Sequence, residues 1–309
     1  MLTSLQNPLV KQIRKLHASK GRRELQLFVL EGTHLLEEAC AVSYPLETVC
    51  CTPKWAESHR QLWELAQQQA RRWELVSPEV LEAMATTVHP DGVVAAASRR
   101  EAEFQVPQRG LGLALETVQD PGNLGTIIRT AAAAGASGLC LSPDSADPEQ
   151  PKVLRASAGA WFRLPVAVSP DLNAEVRRCQ QLGVQVVATS GSAAPTYWEV
   201  DYRQPTLILL GNEGAGLSAD LLALADRQVR IPLSAGVESL NVAIAAAAIL
   251  YEAQRQARFS PQVLSSSDSA AGKIAQCQPP LVLSPQVRTA PVSLSEACFD
   301  CPSQTAPEI

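Results

Sequence analysis

What this chain lacks narrows its class before any motif is considered. It has no run of about 18 uninterrupted apolar residues, so no membrane-spanning helix is expected. Met1 to Lys15 is polar and basic without an apolar centre, and no secretory leader is visible there. The eight cysteines are scattered, and no pair of Cys-x-x-Cys motifs occurs. Cys298 and Cys301 stand alone with that spacing; a structural zinc site takes about four ligands, so no metal is expected. The cysteines read as reduced and buried, in a cytoplasmic protein. A phosphate-cradling loop is missing too. Gly211-Asn212-Glu213-Gly214-Ala215-Gly216 matches neither Gly-x-Gly-x-x-Gly nor a Walker loop, and Gly110-x-Gly112 precedes its strand rather than following it.

What is present suits a soluble, well-packed protein. The 309 residues are 46% hydrophobic and 18% charged, enough for two ordinary domains. A net charge of −5 argues against a nucleic-acid partner, but its distribution argues the other way. Lys11, Arg14, Lys15, Lys20, Arg22 and Arg23 cluster near the N-terminus, opposed there only by Glu24. Lys152, Arg155 and Arg163 make a second basic stretch. A solvated helix face explains such runs equally well when each is taken alone.

The organisation is that of an α/β protein. In residues 3 to 99, Leu9, Ile13 and Leu16 recur at helical spacing after Asn7-Pro8. Leu25–Leu30 reads as a strand, Thr33–Ala39 as a helix, Leu46–Cys51 as a buried strand, Trp55–Arg71 as a helix, and Val93–Ala96 as a closing strand. Residues 100–110 are polar and aperiodic, a linker. From Leu111 to Phe259, strands are expected at Leu111–Leu115, Gly138–Leu141, Val166–Val168, Val184–Ala188, Leu207–Leu210 and Val229–Ile231. Helices fill the gaps at Ile127–Ala134, Glu175–Leu182, Ser218–Ala225 and Val242–Gln256, an alternation that implies a mainly parallel sheet. The Ser- and Pro-rich composition of 260–309 predicts a disordered tail.

Three segments carry unexplained polar groups, each where a strand gives way to a loop or helix. In an open α/β sheet ligands collect at the carboxyl ends of strands, so the three are expected to meet at one site. In the first, Asn123 reads as the cap of a helix starting near Thr126, which leaves Arg129 without a role. A permanently charged guanidinium in an otherwise apolar helix needs an anionic or hydrogen-bonding partner, a structural carboxylate being the plain alternative. In the second, the glycines around Asn212 and Glu213 let backbone approach a flat ligand. The third, Ser239-Leu240-Asn241, offers an N-cap, or exposed N–H groups for a carboxylate.

Taken in order, Asn123-Leu124-Gly125 with Arg129, Gly211-Asn212-Glu213-Gly214 and Ser239-Leu240-Asn241 resemble the three motifs of the SpoU (TrmH-type) branch of the SPOUT RNA methyltransferases. Pro151 to Ala160 also looks like that family. Asn7-Pro8-Leu9-Val10-Lys11 and Phe28-Val29-Leu30-Glu31-Gly32 resemble its substrate-binding domain. The resemblance implies a SPOUT-type parallel-sheet methyltransferase domain with a C-terminal trefoil knot, preceded by a small α/β RNA-binding domain. It further implies S-adenosylmethionine as methyl donor, a ribose 2′-hydroxyl of RNA as acceptor, and a homodimer. Asn123, Arg129, Glu213, Ser239 and Asn241 fall on the family's catalytic positions. The cofactor pocket would include Gly211, Asn212, Gly214, Ile231 and Leu240, with Thr189-Ser190-Gly191 as a further wall. The N-terminal cations named above, with Lys152 and Arg155, would face RNA.

The residue types suit that chemistry. In-line methyl transfer depends on positioning, and a ribose hydroxyl must lose its proton during attack. The resemblance gives Arg129 the activating role. Because free Arg holds its proton too tightly to be an easy base, Arg129 is expected to orient the hydroxyl or an adjacent phosphate and favour the developing alkoxide, helped by Ser239 and Asn241. Ribosomal RNA is the leading substrate. Transfer RNA, a non-catalytic RNA-binding role on the same fold, and a small-molecule nucleotide enzyme are the competing readings.

Overall fold

The computed structural model describes residues 1–100 and 102–258. The expected tail over 260–309, with Cys277, Cys298 and Cys301, lies outside the described residues. Two sheets dominate. The N-terminal one is built from α1 (Pro8–Lys15), α2 (Ser19–Leu25), β1 (Leu27–Glu31), α3 (Thr33–Ala41), β2 (Leu46–Cys51), α4 (Pro53–Ser58), α5 (Arg60–Gln69), β3 (Ala70–Leu75), α6 (Pro78–Met84) and β4 (Val93–Ser98). Its strand order is β1-β4-β2-β3, antiparallel except for the parallel β2–β3 pair.

Period-two alternation sends Phe28 and Leu30 of β1 to one face and Val29 to the other, so helices cover both sides. Asn7 starts α1 by accepting from Leu9 N at 2.9 Å, with Pro8 pre-set for the first turn. Leu9, Ile13 and Leu16 are buried as their spacing predicts.

The C-terminal sheet contains β5 (Leu111–Leu115), α7 (Pro121–Ala134), β6 (Leu139–Leu141), α8 (Pro151–Ser157), β7 (Val166–Val168), α9 (Leu172–Gln181), β8 (Gln185–Thr189), β9 (Thr206–Leu210), α10 (Ala219–Leu224), β10 (Arg227–Val229) and α11 (Val242–Arg258). All six strands are parallel, in the order β10-β8-β9-β5-β6-β7. The chain runs outward from β5 to β7, then returns on the other side of β5. The crevice at that reversal opens between β5 and β9, whose last residues, Leu115 and Leu210, are in register.

Several elements differ from the sequence reading. The expected helix Trp55–Arg71 is broken at His59 and ends at Gln69. Its last residues join β3, an edge strand whose Arg71, Arg72 and Trp73 are all exposed. The strand expected at Leu25 begins at Leu27, because α2 runs through Leu25 and Gln26 turns in the left-handed region at φ 53°. Helices α2, α6 and α8 had no counterpart in the sequence reading.

The two sheets dock as one body. Leu154 of α8 is buried among the N-terminal core residues, and Trp161 lies 5.2 Å from Phe28 and 5.8 Å from Tyr44, ring centre to ring centre. Ion pairs cross the junction at Arg22–Asp147 (2.6 Å), Arg155–Glu31 (2.6 Å), Arg163–Glu38 and Arg99–Glu149. No regular element lies among the described residues between Ser98 and Leu111, yet Phe104 is buried and its carbonyl accepts from Arg178 at 2.9 Å.

Candidate active site

Helix α7 begins at Pro121, five residues before the expected start, because Asp120 rather than Asn123 is the cap: its carboxylate accepts from Asn123 N at 2.8 Å. That correction frees the Asn123 side chain. Asn123 Nδ2 donates to Glu213 Oε1 at 2.9 Å, and Asn123 Oδ1 accepts from Asn241 Nδ2 at 2.9 Å. Residues from all three sequence segments thus close into one hydrogen-bonded row above the ends of β5 and β9.

Asn241 does two things at once. Its Oδ1 accepts from Ala243 N at 2.9 Å, capping α11, while its Nδ2 is left to hold Asn123. Ser239 is exposed in the preceding loop and takes no part in the cap. Arg129 lies six residues along α7 from Asn123, about 9 Å up the axis and about 120° round it. It is exposed and forms no hydrogen bond or ion pair among the described residues, so the structural-carboxylate alternative finds no support there.

The glycine-rich loop is built differently from its expectation. A Cβ on buried Gly211 would fall 2.2 Å from the carbonyl carbon of Gly216. Gly211 is therefore required by the loop's own backbone, which folds back on it, rather than by close approach of a ligand. Asn212 N donates to Gly216 O at 3.0 Å and Gly216 N to Asn212 O at 2.9 Å, while Asn212 Oδ1 accepts from Gly214 N and Ala215 N. The loop so formed presents Glu213, Gly214 and Ala215 to solvent.

Thr117 and Asp144, which the sequence reading did not single out, support this loop. Asn212 Nδ2 donates to Thr117 O at 2.9 Å, and Thr117 Oγ1 donates to Asp144 Oδ2 at 2.6 Å. Thr117 sits at φ 55°, a region that a β-branched residue rarely adopts, so neighbouring contacts must hold it there. Hydrogen bonds from Ser142 and Thr117 hold the Asp144 carboxyl below its ordinary value. The only sequence signal for Thr117 is a polar residue two positions past the end of an apolar strand.

Around the loop, Thr189 at the end of β8 and Ile231 after β10 are half-buried, and Thr189 Oγ1 donates to Leu209 O at 3.1 Å. Residues 233–240 are exposed throughout, Leu240 and Val237 included. Apart from a turn in which Val237 N donates to Ser234 O, the backbone of 232–240 makes no hydrogen bond among the described residues.

Of the expected RNA-facing cations, Lys11, Arg14, Lys15, Lys20, Arg23 and Lys152 are exposed. Lys152 lies 3.8 Å from Asp120, beside the start of α7. The other two are placed otherwise. Arg22 is 2% exposed, and its guanidinium donates to Leu16 O, His17 O and Asp147, an enclosed geometry with no face toward RNA. Arg155 donates to Glu31 Oε2 at 2.6 Å and Thr86 Oγ1 at 3.0 Å, joining the two sheets. Among the described residues no group of three or more His, Cys, Asp or Glu side chains could hold a metal ion.

The profile of the SpoU rRNA Methylase family matches residues 110–251, and that of the MRM3-like substrate binding domain matches residues 7–95. An uncharacterized tRNA/rRNA methyltransferase of Synechocystis is 48% identical, over 82% of this chain and 93% of its own length. The chain belongs to the SpoU rRNA methylase family. The 23S rRNA (guanosine(2553)-2′-O)-methyltransferase RlmP of Bacillus subtilis is 33% identical, over 81% of this chain and 97% of its own. An AdoMet-bound rRNA methyltransferase from Sinorhizobium meliloti superposes with a TM-score of 0.75 at 36% identity, over 82% of this chain and 97% of that one. The parallel six-stranded sheet with its preceding α/β unit is thus the SPOUT architecture that the three motifs implied.

Proposed function

We propose that this SpoU-family chain transfers the methyl group of S-adenosylmethionine to a ribose 2′-hydroxyl of ribosomal RNA. The observation that carries the reading is the Asn241–Asn123–Glu213 row, three polar side chains from remote segments joined where β5 and β9 end. Relatives named as 23S rRNA 2′-O-methyltransferases, and a solved relative with AdoMet bound, favour ribosomal RNA and this donor.

The chemistry of the surrounding groups fits S-adenosylmethionine. A flat, amphiphilic adenosine needs apolar surface beside polar edges, and the 232–240 segment offers exposed Leu233, Val237 and Leu240 on backbone with unpaired polar groups. Thr189, Gly211, Asn212, Gly214 and Ile231 complete the proposed pocket. When bound, the cofactor supplies an electrophilic methyl carbon. Asn123 and Asn241 fix the Glu213 carboxylate, while Arg129 and Ser239 orient the ribose hydroxyl and favour its developing negative charge. Lys11, Arg14, Lys15, Lys20, Arg23 and Lys152 attract the phosphate backbone.

The reading extends to the assembly. Residues 1–99 form a substrate-binding domain, 100–110 a linker and 111–259 the methyltransferase domain. A homodimer is supported by Ile244 and Tyr251, seven residues apart on α11 and 55% and 50% exposed. For a trefoil knot, the support is the grip of 195–202 on segments later in the domain: Arg230 N donates to Pro195 O, and Gln256 Nε2 to Val200 O. A cytoplasmic location agrees with buried Cys50, Cys51 and Cys140, whose thiols burial pushes up to about 12.

The test is to incubate the purified chain with radiolabelled S-adenosylmethionine and unmodified ribosomal RNA, then map the product. One ribose-methylated nucleotide, resistant to alkaline cleavage on its 3′ side, is the expected result. Methyl groups on a base, or on transfer RNA alone, would overturn it.

A further inference from the structure

Between the two sheets lies a cavity of about 820 Å³ that the three motifs do not account for. Its wall includes Tyr44, Trp161 and Phe162, whose rings pack edge to face at centroid distances of 5.3 to 5.8 Å. Arg100 also lines it, with its guanidinium carbon 5.1 Å from the Tyr44 ring centre. Arg23 lines it from α2. Neither Arg23 nor Arg100 has a carboxylate partner among the described residues, whereas the lining acids Asp147 and Glu149 are already bonded to Arg22 and Arg99. Glu103 is the remaining acid in the lining and is exposed.

One polar atom buried behind this wall is unsatisfied. Trp161 Nε1 is buried with no acceptor among the described residues, and buried donors without a partner are uncommon in folded proteins. Free guanidinium groups and aromatic surface in one cavity are the elements that bind a nucleotide by phosphate contact and stacking.

Its position relates it to the active site. The loop from Ser142 to Asp147 forms one side of the cavity, and the same loop supports the catalytic side. Ser142 Oγ accepts from Thr117 N at 2.8 Å, and Thr117 O accepts from Asn212. Val168, the last residue of β7, also lines the cavity. The cavity therefore borders the same carboxyl edge of the sheet that carries Asn123 and Glu213. Two strand spacings, about 10 Å, separate β5 from β7.

We propose that this cavity holds a nucleotide of the RNA strand adjacent to the one that is methylated. Its phosphate lies against Arg23 and Arg100, and its base stacks on the guanidinium plane of Arg100 in front of Tyr44. The inference rests on the RNA methyltransferase reading and adds to it a substrate contact shared by the two sheets. A strand held at both places fixes which ribose enters the site, so the cavity contributes to the choice of nucleotide.

The test uses the full chain with Arg23→Ala/Arg100→Ala and, separately, Arg100→Lys. Filter binding of an rRNA fragment should weaken about tenfold for the double variant and less for Arg100→Lys, which keeps the charge and loses the stacking plane. Affinity for S-adenosylmethionine and the thermal melting curve should stay those of the parent. A photoreactive 4-thiouridine beside the methylated nucleotide should crosslink to a peptide containing Tyr44 or Trp161. Unchanged RNA affinity together with a crosslink elsewhere would overturn the cavity proposal while leaving methylation by the parent chain intact. If the parent methylates no RNA but the double variant still loses RNA affinity, the functional reading fails and the cavity remains an RNA site. Saturable binding of a free mononucleotide, with RNA affinity unaffected by either variant, would also overturn it.

Discussion

Asn241 Nδ2 reaches Asn123 Oδ1 at 2.9 Å while Asn241 Oδ1 caps α11, so one side chain ties the start of α11 to the start of α7. The amide orientation of Asn123 follows from its neighbours: Nδ2 must face the acceptor Glu213 and Oδ1 the donor Asn241. Asn123→Asp would put a second carboxylate beside Glu213 and remove the donor between them. Single-turnover methylation by this variant should fall by about 10²-fold or more, the scale of losing one preorganised polar contact. Binding of S-adenosylmethionine by calorimetry should change far less. Equal losses in both measurements would assign Asn123 to the cofactor pocket instead.

Thr117 offers a different separation of effects. Its φ of 55° strains a β-branched residue, while its hydroxyl holds Asp144 and its carbonyl receives Asn212. Thr117→Gly relieves the backbone but loses the hydroxyl contact; Thr117→Val keeps the strain and loses the same contact. The glycine variant should melt at or above the temperature of the valine variant. Both should bind S-adenosylmethionine less tightly than the parent, because the backbone carbonyl that receives Asn212 is no longer held in place by the Thr117 hydroxyl on Asp144. Parent-like affinity in both would separate the Thr117–Asp144 contact from the cofactor site.

Two neighbouring carboxylates should respond to pH in opposite directions. Burial raises Asp147, but the hydrogen bond and charge of Arg22 outweigh it and hold the carboxyl below its ordinary value of 3.8. Its contribution to stability is complete above that value and is lost as pH falls through the folded value. For Glu149, burial raises the carboxyl above its ordinary 4.5, and the opposing charge of Arg99 only reduces the effect. Its protonated form favours the folded state below 4.5, and that contribution is lost as pH rises through the folded value. Melting temperatures measured across the acid range should therefore show Asp147→Asn flattening the loss below 3.8 and Glu149→Gln flattening the change above 4.5. Asp147→Asn should also lower stability overall, by up to about 3 kcal/mol, since Arg22 is left buried without its counter-charge.

Gly125 belongs to the first motif, yet its explanation is packing. A Cβ there would lie 2.4 Å from Ala156 Cβ and 2.6 Å from Val153 O, where α8 crosses α7. Gly125→Ala should destabilise the fold by about 1–3 kcal/mol in chemical denaturation, the cost of forcing atoms into a filled contact. A neutral result would mean that α8 can move off α7 without loss.

These contacts also explain how much the sequence disclosed. Strands β5 and β9 were legible because each is a short apolar run buried on both faces, and the three motifs were legible because their polar groups exceeded what turns require. Strand β3 was not, since an exposed edge strand carrying Arg71, Arg72 and Trp73 has no apolar alternation to betray it. Asn123 reads as a cap in sequence because Asp120 and Asn123 are both good caps one helical turn apart, and only the hydrogen bond shows which is used. Arg22 and Arg155 look in sequence like their exposed neighbours. Their carboxylate partners lie 125 and 124 residues away and could not be found from local pattern.

The exposed face of α11 leads to the last prediction. Ile244 and Tyr251 are seven residues apart, so they share one side of the helix, and each leaves about half of its surface to solvent. Ala246, Ile249 and Leu250 on the opposite side are buried in the core beneath the sheet. A helix whose inner face is already packed gains nothing within one chain from a second apolar face, but gains from covering it with a second copy. If the proposed dimer forms through this face, Ile244→Glu/Tyr251→Glu should give a monomer in light scattering where the parent gives a dimer, with circular dichroism unchanged, because neither side chain is needed by the core. If Arg129, exposed on the neighbouring α7, acts near that interface, the monomer should also lose methylation while keeping the Asn241–Asn123–Glu213 row. A folded monomer with full activity would remove the dimer from the mechanism and leave Arg129 to work within its own chain.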